Sequence, residues 1–86
     1  MKSVVFSSDA IIGIQKFRYG NQNLVFKIFE LLEDIQKNPF TGKGKPELLK
    51  GNLKGNWSRR INDEHRLIYR IKEYSIEVVS CYGHYD

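Results

Sequence analysis

Apolar residues change their spacing near the middle of this chain, from a helical period to an alternating one, which divides it into a helical half and a strand half. Val4-Val5-Phe6 reads as a short first strand. Ser7, Ser8 and Asp9 offer side-chain acceptors to the helix that follows, in which Ala10, Ile11, Ile14 and Phe17 fall at helical spacing. Gly20 ends that helix and a second begins at once. Its apolar set of Leu24, Val25, Ile28, Leu31, Leu32 and Ile35 is the strongest periodic signal in the sequence, and Pro39 stops it. So short a connection predicts an antiparallel helical hairpin.

Residues 41–46 hold two glycines, two lysines and a proline, which is loop chemistry. Pro46 suits the first position of a short helical turn, with Glu47 near that turn's positive end. Beyond Gly55 the period becomes two, and residues 57–62, 65–72 and 75–82 read as three strands joined by tight turns at Asp63-Glu64 and Glu73-Tyr74. Connections this short force antiparallel pairing. Along the middle strand Leu67, Tyr69 and Ile71 alternate with Arg66, Ile68 and Arg70, so one face packs on the helices and the other carries cations. The predicted fold class is α+β, an N-terminal strand and helical hairpin packed on a twisted antiparallel β-sheet, in a single domain over residues 1–86.

Composition narrows the function classes. At 86 residues, with 41% hydrophobic and 28% charged, the chain is built to fold as one small domain and is not of the disordered type. The lone Cys81 excludes an internal disulfide, no Cys/His spacing suits zinc, and a reducing cytoplasm is the expected location. Ser7-Ser8-Asp9 breaks the first apolar run too early for a signal segment, and no run is long enough to span a bilayer, so no membrane partner is expected. The net charge is +4, unevenly spread: between residues 43 and 60, Lys43, Lys45, Lys50, Lys54, Arg59 and Arg60 face Glu47 alone. Such a window is the footprint of a polyanion partner or the solvated face of a basic protein.

The same region concentrates the chemistry. Residues 38–50, Trp57-Ser58-Arg59-Arg60, Glu64-His65-Arg66-Leu67 and His84-Tyr85 together supply a carboxylate, fixed cations, an imidazole and a phenol. Cleaving RNA without a metal needs a base for the 2′-hydroxyl, a cation for the phosphate and an acid for the departing oxygen, and Glu47, Arg66 and His84 are suited to those roles. Each has a plainer reading. Glu47 complements a helical turn, Arg66 is a solvated strand residue or pairs with Glu77, and His84-Tyr85 is a frayed tail. His65 alternates with Leu67 and Tyr69 and reads as a packed or hydrogen-bonded histidine, with a site role as the rival reading, and Cys81 as a small buried hydrophobe. The Gly-Lys-Gly-Lys loop lacks the spacing of a nucleotide-binding P-loop.

The run Pro39-Phe40-Thr41-Gly42-Lys43-Gly44-Lys45-Pro46-Glu47, then Leu49-Lys50, Asn52-Leu53, Trp57-Ser58-Arg59-Arg60-Ile61, Glu64-His65-Arg66-Leu67 and His84-Tyr85, closely resembles the YoeB toxins of the YoeB/YefM type II toxin–antitoxin systems, within the RelE superfamily. The resemblance implies the RelE-like fold and a ribosome-dependent endoribonuclease that cuts mRNA in the ribosomal A site without cofactor or metal. It implies Glu47 as general base, Arg66 as phosphate-stabilising cation, His84 as general acid and Tyr85 as a further active-site residue. Lys50 matches another cation of the site, and Lys43, Lys45, Arg59 and Arg60 form the expected RNA-binding surface. The implied partners are a YefM-like antitoxin, the ribosome and mRNA, a second copy of the chain in a homodimer, and operator DNA only through the antitoxin complex. Phe26 and Phe29, flanking the second helix's stripe, mark such a protein surface or the rim of the core. The chain departs from the family in carrying Gly83 before His84 and Asp86 after Tyr85. The competing classes are a ribosome-binding blocker that does not cut and a ParE-like toxin that inhibits a partner.

Overall fold

The computed structural model describes residues 1–83; the expected site residues His84 and Tyr85, with Asp86, lie outside the described residues. Strand β1 (Ser3–Phe6) passes into helix α1 (Ser8–Lys16) through Ser7. The Ser7 hydroxyl accepts the Ala10 N–H at 3.0 Å and donates to the Val79 carbonyl at 2.6 Å, so one side chain caps the helix and ties it to the sheet. Helix α2 (Gln22–Lys37) buries Leu24, Ile28, Leu31, Leu32 and Ile35, the stripe its periodicity predicts. No helix among the described residues is long and apolar enough to cross a membrane.

The rest of the chain supplies β2 (Glu47–Leu48), a 3₁₀ turn (Gly51–Leu53), β3 (Trp57–Arg60), β4 (Arg66–Ile71) and β5 (Ser75–Ser80). Among the described residues these strands form one sheet in the order β1-β5-β4-β3-β2. Pairs β2/β3, β3/β4 and β4/β5 are antiparallel, as their short connections require, whereas β1 lies parallel to β5 at the edge. The sheet is therefore mixed. The helical hairpin makes the long crossover by which the chain leaves one edge strand and comes back at the opposite edge. The architecture is α+β, with both helices packed on one face of the sheet.

That face holds the core: Phe17, Ile28, Leu31 and Ile35 pack on Leu67 and Tyr69 of β4 and on Ile76 and Val78 of β5. Among the described residues the opposite face carries no helix, although Ser58 and Ile68 are buried on it. Registers Glu47↔Ser58, Ser58↔Ile68 and Arg60↔Arg66 put those side chains together on it, away from the helices.

Two local expectations change. Pro46-Glu47 does not start a helical turn; Glu47–Leu48 pairs with Trp57 and Ser58, and the Leu49 N–H continues the ladder to the Asn56 carbonyl at 2.9 Å. Hydrogen bonds from a strand distant in sequence outweigh the local preference of a proline. The connection between β3 and β4 is also wider than a two-residue turn. Asn62 Oδ1 accepts the N–H groups of Glu64 and His65, an Asx arrangement that ends β3 at Arg60 and starts β4 at Arg66.

Candidate active site

The two-residue strand β2 puts Glu47 on the face away from the helices, opposite Ser58 of β3 and in the same cleft as Arg66 of β4. Glu47, Lys50, Ser58 and Arg66, with Leu48, Leu49 and Leu53, line a cleft of about 420 Å³. A carboxylate, an ammonium and a guanidinium thus share one concavity, a combination able to take a proton and hold a phosphate. A second groove of about 300 Å³, between β1 and α2, is lined mainly by Met1, Val4, Phe6, Phe29 and Leu32. Glu33 and Lys37 also line it, but they pair with each other at 3.9 Å and among the described residues no guanidinium joins them. Among the described residues Glu47 takes part in no ion pair. Glu77, the rival partner for Arg66, is engaged by Lys72 at 3.4 Å, and Arg70 donates to Asn56 Oδ1 at 2.9 Å.

The remaining expected cations divide. Lys50 lines the cleft, and Arg60 is exposed directly across from Arg66. Lys45 is exposed on the loop before β2, with φ at +52°. Lys43 turns to α2 instead, where its ammonium sits 3.1 Å from Glu30, an interaction that raises the lysine's pKa and lowers the carboxyl's.

Arg59 corrects the sequence reading. It is fully buried and cannot contact RNA as part of the surface. Its Nε donates to the Tyr69 hydroxyl at 3.0 Å; one terminal nitrogen donates to Asp34 Oδ2 at 2.6 Å and the Lys43 carbonyl at 3.1 Å; the other donates to the carbonyls of Asn38 and Thr41. Every guanidinium donor is used. The backbone N–H of Lys43 and the Arg59 guanidinium together hold the Asp34 carboxyl below its usual range, while burial pushes the Tyr69 hydroxyl up despite the nearby guanidinium. Pleating explains the placement: Trp57 and Arg59 are two residues apart and share the helix-side face. That alternation, applied to residues 57–60, is the sequence signal that identifies Arg59 as inward. The clamp draws the 38–44 loop against α2 and β3, close enough that a Cβ on Gly44 would stand 3.0 Å from the Arg60 carbonyl. Held this way, the loop delivers the chain to β2 and so sets where Glu47 sits.

His65, which precedes Arg66 in the chain, is buried as expected. Its ring lies edge-on to Phe17 at 4.9 Å, and its Nδ1 accepts the Gly83 N–H at 2.8 Å. The Arg66 N–H in turn donates to the Gly83 carbonyl at 2.8 Å. The last described residue is thereby fixed on both sides to the strand that carries Arg66. His65 is thus both packed and hydrogen-bonded, as its place in the sequence pattern suggests, and it holds Gly83.

Comparison with known proteins gives the same picture at the level of the whole chain. The family model for the YoeB-like toxin of bacterial type II toxin-antitoxin systems matches residues 6–85. The chain belongs to this family. It is 51% identical over 82 residues to Toxin YoeB of Escherichia coli (strain K12), covering 95% of this chain and 98% of that one. The structure of a YoeB dimer from Staphylococcus aureus superposes with a TM-score of 0.90 at 44% identity, covering 98% of each chain. The toxin of a heterotetrameric YoeB-YefM complex from the same organism superposes at 0.88 and 43% identity, covering 99% of each chain. As a member of the YoeB-like family, the chain is a toxin of type II toxin–antitoxin systems with the RelE-like fold. Phe26 and Phe29, which in the sequence fit either rim or surface, are 75% and 54% exposed, and Phe29 lines the apolar groove beside β1.

Proposed function

We propose that this YoeB-like toxin is a ribosome-dependent endoribonuclease that cleaves mRNA in the ribosomal A site and so inhibits translation. The observation that carries the reading is the single cleft shared by Glu47, Lys50 and Arg66, with Gly83 fastened to the backbone of Arg66 at its edge. His84, the proposed general acid, follows Gly83 in the sequence.

Glu47 removes the proton of a 2′-hydroxyl, and the resulting oxygen attacks the adjacent phosphorus. Arg66 and Lys50 hold the non-bridging oxygens as negative charge accumulates on them. The bond to the 5′-oxygen breaks and His84 supplies the proton that this oxygen takes up, with Tyr85 as a further active-site residue. The products are a 5′-hydroxyl and a 2′,3′-cyclic phosphate, which hydrolyses to the 3′-phosphate. A positioned acid or base contributes roughly 10²–10⁴-fold, and fixed cations aimed at developing charge contribute comparably, so acid, base and cations together suffice without a metal. Arg60 and Lys45, exposed around the cleft, bind the RNA backbone on either side.

A nuclease of this kind requires neutralisation by a YefM-like antitoxin, and the exposed Phe26 and Phe29 support a protein-covered surface for it or for a second copy of the chain. The solved S. aureus relatives are described as a YoeB dimer and as a heterotetramer with YefM. Operator DNA is reached only through the antitoxin complex, and the site of action is the cytoplasm.

Primer extension on a message translated in extract tests the reading. Wild type is expected to give A-site cuts, and Glu47→Ala, Arg66→Ala and His84→Gln to lose them at least a hundredfold while remaining folded. Stalling that persists in His84→Gln on uncut message would replace the nuclease with a ribosome blocker.

A further inference from the structure

Ser58 has no part in the chemistry above, yet it forms the floor of the cleft between its base and its cation. It is the direct cross-strand neighbour of Glu47 in the β2–β3 pair. Its side chain is 1% exposed, and among the described residues its hydroxyl has no hydrogen-bond partner. Buried hydroxyls of that kind are rare in folded proteins, and each calls for a state in which the group is satisfied.

We infer that Ser58 is a positioning residue for Glu47: once RNA fills the cleft, the Ser58 hydroxyl donates to the carboxylate oxygen turned away from the 2′-hydroxyl and fixes the rotamer of the base. The inference rests on the reading of Glu47 as general base. Reach is provided by the register, because directly opposed residues on one face of an antiparallel pair have Cβ atoms about 4.5–5.5 Å apart. Rotation about the side-chain torsions of serine and glutamate closes that gap to hydrogen-bond distance. The chemistry also suits the position. Lys50 after β2 and Arg66 on β4 already line the cleft with Glu47, and Arg60 lies across from Arg66. A neutral donor orients the carboxylate without adding another cation that would pair with it and blunt its basicity. Ser80 provides the contrast. Its hydroxyl is equally unpartnered among the described residues, but it lines a separate depression with Asp9 and Lys16 of α1, so it is the pairing with Glu47 that singles out Ser58.

Single-turnover cleavage of mRNA on programmed ribosomes, followed against pH, tests this with Ser58→Ala, Ser58→Thr, Glu47→Gln and the Ser58→Ala/Glu47→Gln double variant. Ser58→Ala is expected to cleave about tenfold more slowly, a loss in the range that follows from misplacing a reacting group. Its acid limb moves to higher pH, because the carboxylate has lost a hydrogen bond that favours its charged form. Ser58→Thr restores the hydroxyl, and with it most of the rate and the position of the limb. In the Glu47→Gln background, Ser58→Ala costs nothing further. Since the hydroxyl is unpartnered in the free protein, Ser58→Ala melts no lower than wild type; should it nonetheless unfold, Ser58→Cys, a weak donor, is read in its place. A Ser58→Ala enzyme with wild-type rate and limb overturns the inference while leaving Glu47 as the base, as does an equal slowing in both backgrounds. Full cleavage by Glu47→Gln would instead remove the general-base reading itself, and this inference with it.

Discussion

Arg59 and Arg66 sit on neighbouring strands of one sheet, and what separates their roles is the face each occupies. Arg59 lies across from Leu67 on the helix side, buried with its donors spent on Asp34, Tyr69 and three carbonyls; Arg66 lies across from Arg60 on the opposite side and lines the cleft. Truncating them should therefore fail in different ways. Arg59→Ala leaves buried acceptors unmatched and is expected to lose about 3 kcal/mol of stability, read as a shift of the urea midpoint. Arg66→Ala should unfold at the wild-type midpoint and lose cleavage only. A charge count along the sequence cannot make this distinction, since it does not register which face of a strand an arginine occupies. The period-2 pleat does make it once one residue of the strand is known to point inward. Glu47 and Arg66 were legible as chemistry because their type and order match a known family. Ser58 was not, because a serine carries no signal until its burial and its neighbour across the sheet are seen.

At the level of elements, α2, β4 and β5 were readable from periodicity because each buries an apolar stripe or face, whereas α1 leaves Ile11 about half exposed and β3 turns Arg59 to the helices. Strand β2 was not readable. Two residues carry no period, and Pro46 locally favours a turn; the strand exists only because β3 offers it a register that begins about ten residues further along the chain. The close approach of α1 to the end of β5 was equally hidden. A Cβ built on Gly13 would stand 2.6 Å from Cys81 Sγ and 3.3 Å from Tyr82 Cβ, so the helix can lie this near only with glycine there. The thiol it presses on is buried, donates to the Ala10 carbonyl at 3.4 Å, and is pushed up to about 11 by that burial. In an open helix Gly→Ala gains up to about 1 kcal/mol. Here Gly13→Ala is expected to destabilise by about 1–2 kcal/mol through overpacking. Adding Cys81→Ala should return part of that loss. A double-mutant cycle on urea midpoints reads the coupling, and additive effects would show that the clash is with the backbone at Tyr82 instead.

The whole molecule depends on charge in two unlike ways, and pH separates them. The depressed Asp34 carboxyl contributes stability that is fully present above the ordinary aspartate value of about 3.9 and is lost as pH falls through its lower folded value. The Glu30 carboxyl is lowered in the same direction by its hydrogen bond from Lys43, but that pair stands in solvent, where salt screens it. Unfolding free energy measured against pH in moderate salt should thus isolate the Arg59–Asp34 clamp. Wild type is expected to hold a plateau through neutral pH and to fall steeply below about pH 4. Asp34→Asn should be less stable on the plateau but decline less steeply, so that the two curves converge in acid. Parallel curves would mean that the clamp does not rely on an ionised carboxylate. Convergence would carry a functional consequence, because the segment released in acid is the 38–44 loop that leads into β2. A toxin loosened there would keep its core on the helix side of the sheet while losing the placement of Glu47, and its cleavage would fall at a higher pH than its overall unfolding.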